Sequence, residues 1–269
     1  MENNRPGQAS RPPAVARTRP SYAGPVVRRG KQSPEPDRAL ERKFETWARR
    51  ASKSQEQSPE ELLAQAQDVL RWSIRKNGPD SSLSIKAMNE VANQLSQLER
   101  VAEEAPLREK IAEGLRASVG PDHLSTLSAE WKLATCLMTL GRPEEAEPLL
   151  AHVVRQRAGT LGEDDTQTLT AMAWNASATK MLGRLAEARL LQEQVVAGYE
   201  RRGEAESDQA QSAALNLAST LSELHEPTEA ARLVRIVVDV RHRTLGPDDP
   251  LTLDAGAFLA SVTDDLKAG

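Results

Sequence analysis

Segments with apolar residues at helical spacing alternate with short polar phrases along most of the chain. One such phrase, LGEDDTQTL at 161–169, returns as LGPDDPLTL at 245–253, and looser copies begin at residues 77 and 119. A further copy is expected near residue 204, where Gly203 lies one position out of register. The glycines of the four clear phrases are Gly78, Gly120, Gly162 and Gly246, so the steps between them are 42, 42 and twice 42. The chain is therefore periodic, with a period of 42 in residue number.

Each phrase has the composition of a helix end followed by a helix start. Glycine favours the left-handed conformation just beyond a helix, and an Asp or Ser can then cap the next helix, where Pro250 also suits the first turn. A second helix stop recurs at the same interval in TLGRPEEAE, MLGRLAEAR and ELHEPTEAA, beginning at residues 139, 181 and 223. Two helices in each repeat predict an all-α solenoid of stacked helix pairs. The predicted repeats are 77–118, 119–160, 161–202 and 203–244, with a capping helix at 249–266.

The predicted array begins with a divergent helix pair at 39–76. One face of its first helix carries the apolar residues Leu40, Phe44, Trp47 and Ala51. The second helix opens with Ser58 as its cap, Pro59 at the first helical position and Glu61 completing a capping box. Pro59 precedes Pro143 by two full periods, so this pair has the register of the later repeats. We expect its aromatic residues to close the end of the stack.

The overall composition is typical of stacked helices without a large aromatic core. Hydrophobic residues make up 39% of the 269 residues and aromatic residues only 3%. No run approaches the roughly 18 apolar residues of a membrane span, and no N-terminal apolar stretch resembles a secretory signal. The single cysteine, Cys136, cannot form an internal disulfide. These features predict a cytoplasmic protein.

The segment at 1–38 differs from the rest of the chain in composition. It is rich in Pro, Arg, Gly and Ser and carries too little apolar surface to offset chain entropy, which predicts a disordered tail at 1–38. The segment at 1–53 contains 13 Lys and Arg against 5 Asp and Glu, a net charge of +8, and the segment at 54–269 contains 22 against 34, a net charge of −12. The tail residues expected to contact an anionic partner are Arg17, Arg19, Arg28, Arg29 and Lys31.

The pattern LG-x-D-x-x-x-TL … LA … LGR-x-EEAE-x-LL, clearest at 121–191, resembles the tetratricopeptide repeats (TPRs) of kinesin light chains and their bacterial relatives, which have the same period. The resemblance implies a right-handed superhelix whose first helices line a concave groove that binds peptides or protein segments. It also implies small residues where helices cross, namely Ala134, Ala176 and Ala218 in first helices and Ala146, Ala188 and Ala230 in second helices. Two asparagines usually precede the LA of that family, and here only Asn216 keeps the second of them. The cargo role of kinesin light chains therefore does not carry over.

Positions counted from these alanines predict which residues line the groove. The predicted wall combines small polar side chains with two tryptophans, a surface that can hydrogen-bond a bound backbone and contact its apolar side chains. The predicted groove residues are Asn89, Glu90, Asn93, Trp131, Lys132, Thr135, Trp174, Ser177, Met181, Asn216, Ser219, Glu223 and Phe258. For Trp131 and Trp174, packing between neighbouring repeats is the alternative.

Other residues that often carry chemistry have structural explanations. The pairs Asp164–Asp165 and Asp248–Asp249 stand at helix starts, where carboxylates cap helices and complement the dipole. The four histidines have no metal-ligand spacing with each other or with Cys136, which is expected to be a buried thiol. The chain has no phosphate-binding glycine loop, HExxH motif or nucleophile elbow. We therefore predict a non-enzymatic protein with no cofactor, no metal and no small-molecule substrate.

Three functional hypotheses follow, and the first is a scaffold or adaptor that binds another protein or peptide in the groove. Copies of the chain itself are a further class of partner. The second hypothesis is an electrostatic tether, in which the basic tail and the Arg-rich helix at 40–50 contact nucleic acid, an anionic membrane or an acidic partner. With Tyr22 as its one aromatic residue, the tail is a poor candidate for nucleic-acid recognition. The third hypothesis is autoinhibition, with the tail occupying the groove of its own array.

Overall fold

The computed structural model describes residues 58–268, with side chains up to Asp264. The predicted apolar helix face at 40–51 and the five predicted tail contacts lie outside the described residues. Within the described residues the chain forms ten α-helices and no β-strand. The helices are α1 (Pro59–Asn77), α2 (Ser82–Gln97), α3 (Val101–Val119), α4 (Leu124–Thr139), α5 (Pro143–Leu161), α6 (Thr166–Met181), α7 (Leu185–Arg201), α8 (Asp208–Glu223), α9 (Pro227–Thr244) and α10 (Pro250–Ala268).

Helix starts follow the cap residues that the sequence predicts. Ser58 Oγ accepts a hydrogen bond from the Glu61 amide, and the Glu61 carboxylate accepts one from the Ser58 amide, both at 3.2 Å. This reciprocal pair is the predicted capping box of α1. Asp165 and Asp249 each accept a hydrogen bond from the backbone N–H two residues later, at 2.8 and 2.9 Å. Capping therefore accounts for the second carboxylate of each Asp pair.

The helices stack in chain order, each packing against the next from α1 to α10. We call α2, α4, α6, α8 and α10 the first helices of the repeats, and α1, α3, α5, α7 and α9 the second helices. The first helices α4 and α6 also contact each other, as do α6 and α8, although a second helix separates each pair in sequence. First helices are thus closer together than second helices, and they form what we call the inner wall. This arrangement confirms the predicted all-α solenoid.

Small residues allow the helices to approach closely at the predicted crossings. Exposure is 0% at all six predicted crossing residues, Ala134, Ala146, Ala176, Ala188, Ala218 and Ala230. Larger side chains fill the spaces around them, and some of these contacts join successive repeats. Leu150 of α5, for example, shares a core cluster with Ala178 of α6. The core is therefore continuous along the stack, as expected for repeats that cannot bury their apolar faces alone.

The repeat at 203–244 departs from the common period by one position at its start. The helix before it, α7, ends at Arg201, and Gly203 takes the left-handed conformation with φ of 71°. Ser207 then caps α8, which begins at Asp208, one full period after Thr166, the first residue of α6. The early glycine therefore changes only the turn, and the helices regain the register of the array.

The turn between the two helices of a repeat has one position in the left-handed region. Gly141 and Gly183 occupy it with φ of 69° and 78°, whereas Glu99 and His225 occupy it in the first and last complete repeats with φ of 55° and 60°. A side chain costs about 1–2 kcal/mol in this conformation because Cβ crowds the following carbonyl. Two of the four turns therefore carry backbone strain.

Replacing His225 with glycine is expected to relieve this strain. We predict that His225→Gly raises the free energy of unfolding by about 0.5–1 kcal/mol, since part of the gain is offset by the greater freedom of glycine in the unfolded chain. Urea unfolding followed by far-ultraviolet circular dichroism would measure the change. The matched variant Gly183→Ala should shift stability by a similar amount in the opposite direction. Lower stability of His225→Gly would contradict the prediction.

Candidate binding groove

The inner wall is lined by clefts between adjacent first helices. The cleft between α6 and α8 has a volume of about 460 Å³, and its floor is formed by α7. Two further clefts lie between α2 and α4, with volumes of about 640 and 390 Å³ and with α3 beneath them. A chain segment lying across the first helices would meet these clefts in turn.

The structure places all thirteen predicted groove residues at accessible positions. None of them is buried, and Met181, Asn216 and Glu223 are exposed. Several of them also border the clefts: Trp174, Ser177 and Asn216 line the α6–α8 cleft, and Asn89, Asn93, Trp131, Lys132 and Thr135 line one or both of the α2–α4 clefts. These positions make the residues available to a ligand. Their part in binding stays a prediction.

The two predicted groove tryptophans, Trp131 and Trp174, have different surroundings. Trp174 is half-buried and borders the α6–α8 cleft, with Tyr199 and Val195 of α7 below it and Asn216 of α8 opposite. Trp131 packs against two core clusters, which contain Leu150 and Val153 among other residues. Its indole Nε1 is buried and lacks a hydrogen-bond partner among the described residues. Trp174 also packs against the cluster that contains Leu150. Trp131 therefore serves mainly the packing alternative, although it borders the 390 Å³ cleft, while Trp174 combines core packing with a position at the 460 Å³ cleft.

A buried ion pair lies beneath the wall between α2 and α4, and sequence reasoning missed it. Arg108 Nε donates to Glu104 Oε1 at 2.8 Å, and both side chains are nearly inaccessible. The other guanidinium nitrogens donate to the amide oxygens of Asn89, at 2.8 Å, and Asn93, at 3.0 Å. Each amide oxygen thus already accepts one hydrogen bond, and the NH₂ groups of Asn89 and Asn93 provide donors at the wall. The spacing of Glu104 and Arg108, four residues apart on one helix, was the signal in the sequence.

Lys132 of α4 stands beside this pair and borders both α2–α4 clefts. Burial lowers its pKa below the usual lysine value, and the Arg108 guanidinium lowers the pKa further, whereas Glu104 and Glu90 raise it. Cys136 is buried as predicted, and burial raises the pKa of its thiol to about 12. Because the thiolate is the nucleophilic form, this cysteine stays an unreactive thiol at neutral pH.

The small hydroxyl residues among the predicted groove residues are already engaged in hydrogen bonds. Thr135 donates to the Lys132 carbonyl at 2.8 Å and Ser177 donates to the Ala173 carbonyl at 3.0 Å, both within their own helices. Lys180 of α6 donates to Ser219 Oγ at 2.7 Å and pairs with Glu223 at 2.8 Å, which ties α6 to α8. The hydroxyls of Thr135 and Ser177 can therefore still accept hydrogen bonds from a ligand but are no longer free donors.

One row of wall residues was missed because it lies a helical turn before the predicted ones. Ser128 of α4 borders the 640 Å³ cleft, and Thr170 of α6 and Ser212 of α8 border the 460 Å³ cleft. Each lies four residues before a predicted groove residue, Lys132, Trp174 or Asn216. Extending the predicted rows by one turn would have found them, since residues four apart share a helix face.

The histidines take structural roles. His123 Nδ1 accepts from the Ser125 N–H at 3.1 Å and caps α4. His152 Nδ1 lies 2.7 Å from Glu130 Oε2, and the same carboxylate accepts from Arg116 at 2.6 Å. Within residues 58–264, no three His, Cys, Asp or Glu side chains are grouped as a metal site would require. The helices in the described part of the chain also include none with the length and hydrophobicity to cross a bilayer.

Comparisons with known proteins agree with this architecture. Residues 125–201 and 211–251 each match a tetratricopeptide repeat family. No curated protein has a matching sequence. Among solved structures, a chain from Podosopora anserina, described as a kinesin light chain with nearly identical TPR-like repeats, is 23% identical with a TM-score of 0.65, over 77% of this chain and 96% of that one.

Two further solved structures share the fold at low identity. BtubC (BKLC) from P. vanneervenii is 15% identical with a TM-score of 0.62, over 79% of this chain and 85% of that one. YrrB, described as a TPR protein with an unusual peptide-binding site, is 21% identical with a TM-score of 0.51, over 82% of this chain and 96% of its own. The predicted resemblance is thereby confirmed at the level of repeat type and fold. Residues 125–201 and 211–251 are therefore tetratricopeptide repeats, and the helix pairs of the described chain stack like those of the kinesin light chain-like structure.

Proposed function

We propose that this protein is a non-catalytic scaffold whose inner wall binds a segment of another protein. The fold supports the general part of this proposal, since TPR arrays are protein-interaction scaffolds. The observation that carries the rest is the α6–α8 cleft, where the Trp174 indole lies at an accessible surface among polar side chains. Solvent-accessible tryptophans in concave sites are the side chains that most often dominate interface energies.

The cleft has the chemistry of a site for an apolar side chain on a polar backbone. Trp174 supplies apolar surface above the buried Tyr199 and Val195, and the volume of about 460 Å³ lies within the usual range of ligand sites. Thr170 and Asn216 line the same cleft and can hydrogen-bond a peptide backbone. Since the backbone groups of the wall helices are paired within the helices, recognition must come from side chains. The peptide-binding site named for YrrB, which shares this fold, is consistent with such a role.

Replacing Trp174 with alanine tests the proposal. We expect Trp174→Ala to weaken binding of a partner isolated from the native host by about thirtyfold or more, because a buried indole contact contributes roughly 2 kcal/mol. The measurement is the dissociation constant of the purified partner for the wild-type and variant full-length chains. Trp174→Phe should recover part of the affinity, since it keeps an aromatic ring in the cleft.

The matched control is Leu190→Ala on α7, a second helix. Leu190 is 60% exposed, so its truncation removes a surface side chain of similar apolar character away from the wall. Binding should be unchanged in this variant, and both variants should keep the wild-type circular dichroism spectrum. Equal affinities for wild type and a folded Trp174→Ala protein would refute binding at this cleft. The tether and autoinhibition hypotheses concern tail residues outside the described part and stay predictions.

A further inference from the structure

A recurring pair of positions bridges successive second helices on the side of the stack away from the inner wall. The fifth residue of one second helix lies beside the residue that precedes the next second helix. Glu147 of α5 pairs with Arg184, before α7, at 3.0 Å, and Arg189 of α7 pairs with Glu226, before α9, at 2.7 Å. At the α5–α7 interface the carboxylate is on the second helix and the arginine precedes the next one, and at the α7–α9 interface this order is reversed. An ion pair bridges both interfaces.

The interface between α3 and α5 lacks this bridge. The residues at the two positions are Ala105 and Arg142, so Arg142 has no carboxylate to meet on α3 at this position. It pairs instead with Glu145 of its own helix at 2.6 Å. At the α1–α3 interface the equivalent residue is Leu63, which is buried and fills the space. Only the α3–α5 interface among these four therefore has neither an ion pair nor a large side chain at this position.

An open cleft of about 590 Å³ occupies this interface, and we call it the outer cleft. Slightly more than half of its surface is apolar, with contributions from all three surrounding helices, α3, α4 and α5. The main apolar residues of its lining are Ala105, Pro106, Leu133, Leu137, Pro148 and Leu149. It is formed mainly by second helices, so it lies outside the inner wall described above.

The rim of the outer cleft carries two exposed carboxylates. Glu109 and Glu113 lie four residues apart on α3 and border the cleft, and neither forms a close ion pair with another described residue. The cations of the rim make their close contacts with other groups, Arg116 with Glu130 and Arg142 with Glu145, both at 2.6 Å. Glu145 has the larger effect in raising the pKa of Arg142, and the more distant Glu109 carboxylate also raises it.

The cleft also offers a backbone acceptor. Pro106 has no N–H, so the carbonyl of Ala102, which would receive that hydrogen bond in a regular helix, lacks its usual donor. Both residues line the cleft. A guanidinium group has five N–H donors in a planar fork and can serve a carboxylate and a carbonyl together.

We propose that the outer cleft binds a short arginine-bearing segment, rich in proline, alanine and valine, from another protein molecule. Arginines match the exposed carboxylates of Glu109 and Glu113 and the Ala102 carbonyl. Small apolar residues match the shallow surface of alanine, proline and leucine. A segment in the polyproline II conformation needs no backbone partner, and apart from the Ala102 carbonyl the surrounding helices pair their backbone groups internally. This site is separate from the inner wall, and the proposal does not depend on the function proposed there.

The test is a direct binding measurement with a defined probe. A fluorescein-labelled decapeptide RPPAVARTRP, a sequence that occurs at residues 11–20 of this chain, is titrated with full-length protein and followed by fluorescence anisotropy. We expect saturable binding that weakens as salt rises, because exposed charge pairs are screened. The matched peptide APPAVAATAP, without arginine, should bind at least about tenfold more weakly. All protein variants keep the tail at 1–38, so any competition between this tail and the labelled peptide for the outer cleft affects every measurement equally.

Two protein variants place the peptide in the outer cleft. Glu109→Lys/Glu113→Lys should weaken binding by about tenfold or more, since two attractions become repulsions. Ala105→Glu should also abolish tight binding, because a carboxylate there would fill the cleft and recreate the bridge to Arg142 seen at the next interface. The control Glu200→Lys/Asp239→Lys reverses two exposed charges on α7 and α9 and should bind like wild type.

Other outcomes overturn the proposal. Absence of detectable peptide binding at about 1 mM, the range of the weakest specific association, would overturn the proposal. So would equal binding by wild type and the Glu109→Lys/Glu113→Lys variant. Loss of peptide binding in Trp174→Ala, with binding retained in Ala105→Glu, would assign the peptide to the inner wall instead. Circular dichroism confirms that each variant is folded before these comparisons are made.

Discussion

Arg108→Met is expected to lower the free energy of unfolding by about 3–5 kcal/mol, the range seen when one partner of a buried ion pair is removed. The side chains of Arg108 and Glu104 are only 4% and 5% exposed. Without the guanidinium, the Glu104 carboxylate would remain buried without an ion-pair partner, with Lys132 as the nearby cation, and Asn89 and Asn93 would lose the donor to their amide oxygens. Urea unfolding of the full-length chain, followed by circular dichroism, measures the change.

The double variant Glu104→Leu/Arg108→Met distinguishes the destabilisation caused by one unpaired buried charge from the net contribution of the ion pair to the free energy of unfolding. We expect it to recover most of the lost stability, since replacing a buried pair with apolar residues of similar size is often close to neutral. The double-mutant cycle then reports the coupling between the two side chains. A loss below about 1 kcal/mol in Arg108→Met would show that Glu104 gains solvent or another partner, contrary to the packing described.

Leu150→Ala is expected to destabilise the array by about 2.5–5 kcal/mol, the cost of a cavity left by a fully buried leucine. Leu150 is 0% exposed and lies in a cluster that joins α4, α5 and α6 through Leu137, Ala146 and Ala178. The cavity would therefore weaken both the repeat at 119–160 and its contact with the next repeat. Thermal and urea unfolding of the full-length chain measure the effect.

Leu190→Ala is the matched control for this variant, because it makes the same substitution on the next second helix at a side chain that is 60% exposed. It should change stability by less than about 0.5 kcal/mol. A separate early unfolding phase in Leu150→Ala would show that the weakened repeat opens before the others, as nearest-neighbour coupling in repeat arrays allows. Equal stability of the two variants would contradict the continuous core.

Much of the fold was readable from the sequence because the signals are local. Glycine just beyond a helix, Asp or Ser at a helix start and proline in the first turn act within four or five residues. Their repetition at a fixed period therefore predicted the helix pairs and the capping box at Ser58. The buried crossing alanines, such as Ala134, were predicted from the resemblance to tetratricopeptide repeats. Even the substitution of His225 for glycine was recognisable from its register, although its strained φ was not.

The candidate site was predicted less completely, as the two tryptophans illustrate. Trp131 lies three residues before its crossing alanine, and Trp174 lies two residues before its own. One position turns a side chain by about 100° around the helix axis. Trp131 accordingly packs against two core clusters and borders the 390 Å³ cleft, whereas Trp174 packs against one of them and borders the 460 Å³ cleft. Sequence reasoning therefore identified accessible positions on the first helices but could not assign the role of each ring.

By itself, the sequence determined the repeat length and the helix starts and ends, because each depends on neighbours along the chain. Only the tertiary structure decided which side chains meet between repeats. The Arg108 contacts to Asn89 and Asn93, the bridges at Glu147 and Arg189, and the open cleft at Ala105 join residues 15 to 37 positions apart or depend on such contacts. These contacts depend on the spacing and rotation of the stacked helices, which a local sequence pattern does not specify.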